Sequence, residues 1–208
     1  TSDDYATIKY SGGGVPLWTN RHNGTGNGNS IANAVAVDGS NNVYVTGYSR
    51  GSASFWDYAT IKYSHDGVAL WTNRYNGPAN VNDIANALAI DGPGNVFVTG
   101  YSDGSGTAND YATIVYSTIG MPLWTNRYNG PANGADQPLT RHSLALMKNS
   151  SVVVVGKSQG INSSSTNFDW AVVKYVSPPL ASLRDVGPAT RQLAFTAMPG
   201  LSYVTQFA

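Results

Sequence analysis

Polar and apolar residues alternate along this chain in short runs, separated by turns rich in glycine, asparagine and aspartate, and the runs recur. DYATIKY occupies 4–10 and 57–63 and DYATIVY occupies 110–116, a period of 53 residues. A related run, DWAVVKY, begins at Asp169, 59 residues further on. Their β-branched and aromatic residues, set in alternation, predict half-buried strands. Each DYATIKY-type copy leads into a second run, PLWTNRH, ALWTNRY or PLWTNRY. Next comes a small-residue run, IANAVAVD at 31–38 or IANALAID at 84–91, and then NVYVTGYS at 42–49 or NVFVTGYS at 95–102. The Asp-Gly turns joining these last two predict hairpins, because glycine tolerates positive φ. No segment carries a helical period, so the chain reads as all-β.

Four strands in a unit of this length predict a propeller blade. The small-residue run is expected to be the innermost strand, where blades converge. The order within a blade is then A (31–38), B (42–49), C (57–63) and D (69–75), and the chain begins in mid-blade. Pro179 to Ala189 keeps Pro, Leu, Arg, Gly, Pro and Ala in register with PLWTNRYNGPA from Pro122, and reads as a worn D strand. RQLAFTAM (191–198) reads as an A strand, and SYVTQFA (202–208), aligned with VFVTGYS (96–102), as a B strand. The total is 16 strands, or four blades, in one β-propeller domain over 1–208, with repeats starting near 4, 57, 110 and 169 and a degenerate stretch at 177–208. The C-terminal A and B strands are expected to pair with the N-terminal C and D strands, since an unpaired pair exposes a sheet edge. The alternative is that 177–208 opens a separate β-sandwich-like module.

The pattern DYATIKYS…LWTNRYNG…ANALAIDGPGNVFVTGYS resembles the bacterial SBBP-type β-propeller repeat, clearly over 4–176 and weakly over 177–208. The resemblance implies a large secreted or surface protein of bacteria, of a kind mostly without assigned activity. This chain has fewer blades than that family's usual ring. SHDGVALW (64–71) also resembles the Asp-box of sialidase-like propellers, with its glycine one place early and without the Asp in the other copies.

Composition narrows the function classes. Hydrophobic residues make up 41% and charged residues only 12%, about half the usual share. Net charge is zero and Lys/Arg form no cluster, which argues against nucleic acid and anionic membranes as partners. There is no cysteine, and no apolar run approaches the ~20 residues of a membrane span. TSDDYATIKY lacks a charged-then-apolar leader, so a secretion signal is expected to have been removed or to lie outside this sequence. An amide- and tyrosine-rich neutral surface suits an extracellular or cell-surface setting.

Catalytic chemistry finds little support. All 12 acidic residues are Asp, the three histidines sit at non-equivalent places, and no metal-ligand spacing occurs. No catalytic residue, metal site or cofactor is expected. Trp18, Trp71 and Trp124 recur at the blade period, which favours packing between blades over a sugar platform. Arg21, Arg74, Arg127 and Arg184 are expected to pair with Asp4, Asp57, Asp110 and Asp169. Asp38-Gly-Ser-Asn-Asn and Asp91-Gly-Pro-Gly-Asn are hairpin turns before they are calcium loops.

The third copy is longer, with 26 residues from Gly130 to Gly156 against 23 in its relatives, and 13 from Gly156 to Asp169 against 10. Insertions that collect on one face mark a binding face. The end of the blades carrying the B–C and D–A loops is therefore the expected site, with Asn76, Asn80, Asp83, Asn129, Asn133, Asp136 and Arg141 as polar contacts. Three functions follow, in descending order. The first is a non-enzymatic scaffold binding a glycan or protein. The second is a structural protein that self-associates through its terminal half-blades. The third is an Asp-dependent hydrolase or lyase.

Overall fold

The computed structural model describes residues 3–26, 28–51, 55–138, 140–148, 150–160, 168–176 and the backbone of 203–204. Strands β1 (Tyr5–Tyr10) and β2 (Pro16–His22) form an antiparallel pair. Two four-stranded antiparallel sheets follow in chain order: β3 (Ser30–Val37), β4 (Val43–Arg50), β5 (Trp56–Tyr63), β6 (Ala69–Tyr75), then β7 (Asp83–Ile90), β8 (Val96–Asp103), β9 (Asn109–Tyr116), β10 (Pro122–Tyr128). The last sheet contains β11 (Asp136–Gln137), β12 (Leu144–Leu146), β13 (Val152–Gln159), β14 (Phe168–Tyr175) and β15 (Tyr203–Val204). The expected strands A to D are β3 to β6, displaced by no more than a residue at either end.

The core is a set of seams between sheets. Tyr5, Val43, Val45, Ala59, Ile61 and Tyr63 fill the first, with Trp18 against them. Tyr44, Tyr58, Val96, Val98 and Ile114 fill the second, with Trp71 against them. Tyr111, Val152, Val154 and Val173 fill the third, flanked by Trp124. Both faces of an inner blade are therefore covered, and β5 and β9 are buried at almost every position.

Hydrogen bonds repeat across the seams with the sequence period. Tyr5 Oη donates to Ala59 O at 3.1 Å, Tyr58 Oη to Ala112 O at 3.1 Å, and Tyr111 Oη to Lys157 O at 3.4 Å. Trp18 Nε1 donates to His65 O at 3.0 Å and Trp71 Nε1 to Thr118 O at 3.3 Å, so the tryptophans do join blades as expected. Asn20 and Asn73 donate to Gly67 O and Gly120 O, both at 2.7 Å. His22 occupies the place of Tyr75 and Tyr128 and packs edge-on against Tyr5, as they do against Tyr58 and Tyr111. Burial holds the His22 imidazole below its ordinary pKa, helped by the Arg74 charge.

The A strands of successive blades meet, with β7 in contact with β3 and with β12. A β-bulge interrupts β3 between Ala32 and Ala34 and β7 between Ala85 and Ala87. Bulges of this kind re-aim a side chain. Asn33 Nδ2 reaches Ala85 O at 2.8 Å, and Asn86 Nδ2 reaches Pro138 O at 2.6 Å. These asparagines, alone in runs of small apolar residues, escaped the sequence reading. Their recurrence at the repeat period was the available signal.

Three expectations change. The A–B hairpins do form, with Asp38 Oδ1 accepting from the Ser40 and Asn42 amides at 2.9 Å, but positive φ falls on Asn41 (62°) and Gly94 (92°) rather than on the Asp-Gly glycines. The carboxylate directs the turn, so the strained residue comes three places after the aspartate. Next, the first insertion of the third copy lies within strand A, between β11 and β12, and not in the loop before it. Gly130 is six residues before Asp136, as Gly77 is before Asp83. Finally, Tyr203–Val204 pairs with Val173 and Lys174 of β14, at the register Trp71 and Thr72 hold on β5. That is the D position beside β14, not the B strand of a fourth blade expected for 202–208. An edge left open beside β14 would expose its backbone groups, and these two residues cover part of it. The expected D strand at 179–189 and A strand at 191–198 lie outside the described residues.

Candidate functional site at the loop end of the blades

The antiparallel meander places the B–C and D–A loops together at one end of each sheet. Backbone pairing holds them there: Arg50 N–H donates to Asn29 O at 3.3 Å, Asp103 N–H to Asn82 O at 3.1 Å and Gln159 N–H to Ala135 O at 3.2 Å.

Asn76 and Asn80 are exposed at the tip of one D–A loop, with Asn76 Nδ2 donating to Asn80 Oδ1 at 2.5 Å. Asn129 and Asn133 repeat the arrangement 53 residues on, at 2.7 Å. Asn80 and Asn133 have φ of 55° and 52°, a left-handed conformation that asparagine tolerates better than most residues. Asp83 and Asp136 are 1% and 0% exposed, and their carboxylates turn inward beneath these loops. Oδ2 of Asp83 accepts from Gly77 N–H at 2.7 Å, and Oδ2 of Asp136 from Gly130 N–H at 2.6 Å. A Cβ on Gly77 would come within 2.5 Å of Asp83 Oδ1, so a glycine is needed for the amide to reach the carboxylate. In the first copy Ser30 takes the aspartate's place and accepts from Gly24 N–H at 3.1 Å. Arg141 is exposed in the turn between β11 and β12, within the interrupted strand A and apart from the asparagine loops in sequence and topology.

Behind Asp83 lies a polar network assembled from neighbouring strands. Ser102 hydrogen-bonds the Asp83 carboxylate. Arg127 donates to Ser102 Oγ, to Ser102 O at 2.9 Å, to Asp110 Oδ2 at 2.8 Å and to Tyr75 Oη at 3.1 Å. Arg74 makes the corresponding contacts to Ser49 and Asp57, all at 2.7 Å. Arg21 and Asp4 keep only a 3.3 Å pair, and that arginine side chain is 69% exposed. The expected arginine–aspartate pairs therefore form in the first three copies, and Arg184 lies outside the described residues.

Burial pushes the Asp83 carboxyl from 3.8 up to about 6, against the opposing pull of the Gly77 amide and Ser102 hydroxyl. Burial raises Asp136 in the same direction. The folded protein thus holds a proton on Asp83 that the unfolded chain has already released. Stability from this group is complete at about pH 4 and falls as pH rises toward about 6. An Asp83→Asn variant, which does not titrate there, is expected to gain stability relative to the parent between about pH 4 and pH 7.5, by at most about 3 kcal/mol. Melting temperatures of both proteins across that range check this; a constant difference would refute it.

Among the described residues, no group of three or more His, Cys, Asp or Glu side chains is placed to hold a metal ion. No helix among them is long and apolar enough to cross a membrane. Antiparallel four-stranded blades, packed face to face at a fixed sequence period, define the β-propeller class of fold. Within it, residues 74–106 match the family described as SBBP, Beta-propeller repeat, so the chain carries a repeat of that kind from the end of β6 through β8. No curated protein matches the chain.

Proposed function

We propose that this protein is a non-enzymatic extracellular scaffold that binds or adheres through the B–C and D–A loop end of its blades. The observation carrying this reading is the repeated exposed asparagine pair, Asn76–Asn80 and Asn129–Asn133, each fixed from beneath by a buried aspartate. Amide side chains both donate and accept, which suits the hydroxyls of a neutral oligosaccharide as well as peptide groups. A rigid scaffold that holds them in place limits the entropy lost on binding. Asn76, Asn80, Asn129 and Asn133 are the contacts, while Asp83 and Asp136 set the loop shape and Arg141 stands apart from this set. The aspartates beneath the pairs are buried and the net charge of the chain is zero, which favours an uncharged ligand. The first test is an array of neutral oligosaccharides, probed with the parent protein and with an Asn76→Ala/Asn129→Ala variant of unchanged melting temperature. Binding by the parent that weakens at least about tenfold in the variant is expected, since two hydrogen bonds are lost. A blank array, or equal binding by both proteins, counts against the reading.

A further inference from the structure

Asparagine followed by glycine is chemically labile, because the glycine nitrogen, uncrowded by a side chain, can attack the asparagine side-chain carbonyl. Four Asn-Gly pairs fall within the described residues, at 23–24, 76–77, 129–130 and 133–134. In three of them the nitrogen is held. Gly24 N–H donates to Ser30 Oγ at 3.1 Å, Gly77 N–H to Asp83 Oδ2 at 2.7 Å and Gly130 N–H to Asp136 Oδ2 at 2.6 Å. All three glycines are buried, and so are their acceptors. The fourth pair differs. Gly134 is half-buried, and its N–H has no acceptor among the described residues. Asn133 is exposed, and its Oδ1 accepts from Asn129 Nδ2 at 2.7 Å. A donor on that oxygen polarises the carbonyl and stabilises the charge that attack places on it. The second copy has the same donor, Asn76 on Asn80 Oδ1, but Val81 follows there, and its branched side chain shields the nitrogen.

We propose that Asn133 is a self-modifying site of the folded chain, converting to aspartyl and isoaspartyl residues with Gly134 N as nucleophile and Asn129 as activating donor. The nitrogen bonds to Asn133 Cγ and gives up its proton. The Cγ–Nδ2 bond breaks, and Nδ2 leaves as ammonia with that proton. Solvent water then opens the cyclic imide. Opening at Cγ leaves an aspartate at position 133, and opening at the main-chain carbonyl carbon leaves an isoaspartyl linkage through Cγ. Ring closure requires the Asn133–Gly134 peptide to rotate, which a nitrogen bonded to no acceptor allows. At Asn76 and Asn129 the same rotation would pull the glycine N–H off a buried carboxylate. The third copy therefore loses its neutral asparagine pair with age, while the second keeps its own. The isoaspartyl form also adds a backbone atom directly after the turn that Asn133 N–H closes on Gly130 O at 3.1 Å. None of this chemistry requires the loop end to bind a ligand.

The test incubates the full chain in mildly alkaline buffer and maps its peptides by mass spectrometry, with isoaspartyl residues located by fragmentation. In the folded chain Asn133 is expected to convert at least about tenfold faster than Asn23, Asn76 or Asn129, whose glycine nitrogens must first leave a buried acceptor. In urea all four are expected to convert at similar rates, because the fold alone sets them apart. Asn129→Ala, which removes the donor, is expected to slow Asn133 about threefold in the folded chain. The proposal is overturned if Asn133 converts no faster than Asn76 and Asn129 in the folded chain, if its lead persists in urea, or if Asn129→Ala leaves its rate unchanged.

Discussion

Replacing Arg127 with alanine is expected to destabilise the protein by about 3–5 kcal/mol, the cost of stranding one partner of a buried ion pair. Asp110 is 5% exposed, and Arg127 is its ion-pair partner at 2.8 Å. The same guanidinium also serves Ser102 and Tyr75, so its removal leaves several buried acceptors unsatisfied at once. Neutralising the stranded carboxylate in an Arg127→Ala/Asp110→Asn double variant should recover part of the loss. The repeat supplies its own control. Arg21 makes the same sequence-level pair with Asp4, but it is 69% exposed, and Arg21→Ala should cost less than about 0.5 kcal/mol. Urea unfolding of the three variants measures the contrast. Equal losses at positions 21 and 127 would show that burial does not decide the strength of these pairs.

The second large effect is expected at Trp71. Its indole lies between Tyr44 and Tyr116, with ring centroids 6.1 and 6.0 Å away, and its Nε1–H donates across the seam to Thr118 O. Gly120 of the next blade stands against the ring: a Cβ there would come within 2.8 Å of it, and φ is already +84°. Trp71→Ala opens a cavity between two blades and should cost about 3 kcal/mol or more. Gly120→Ala presses on the same seam from the other side, through overpacking together with backbone strain, and should cost about 2 kcal/mol. A Trp71→Ala loss under about 1 kcal/mol in denaturant titration would mean the seam does not depend on this ring.

Much of the fold was legible because the local and long-range signals agreed. The period fixed the unit, alternation and turn residues fixed its four strands, and the recurrent Trp residues marked the seams. The polar residues of the candidate site were harder. Both faces of an inner blade are covered, so alternation cannot separate a side chain that faces a neighbouring blade from one that faces water. Asp83 and Asp136 read as loop polar groups for that reason, although both turn inward. The bulges that re-aim Asn33 and Asn86 depend on strand pairing, which the sequence of a single strand does not contain. Nor could spacing show that the first insertion enters strand A at Pro138, since an added loop has the same length wherever it enters.

The side-chain hydrogen bonds that cross a seam to a backbone carbonyl have a direction along the chain. Tyr5, Trp18, Asn20, Asn33, Tyr58, Trp71 and Asn73 all donate to a carbonyl 47 to 54 residues later. On a ribosome, each blade therefore emerges with its donors before their acceptors exist. At about 5–20 residues per second, the wait for one further repeat is roughly 3–10 s. During that interval the tyrosines and tryptophans of the newest blade have no neighbour to cover them. Synthesis rate, and any chaperone that shields one blade face at a time, would then govern the yield of folded protein more than the stability of the finished stack.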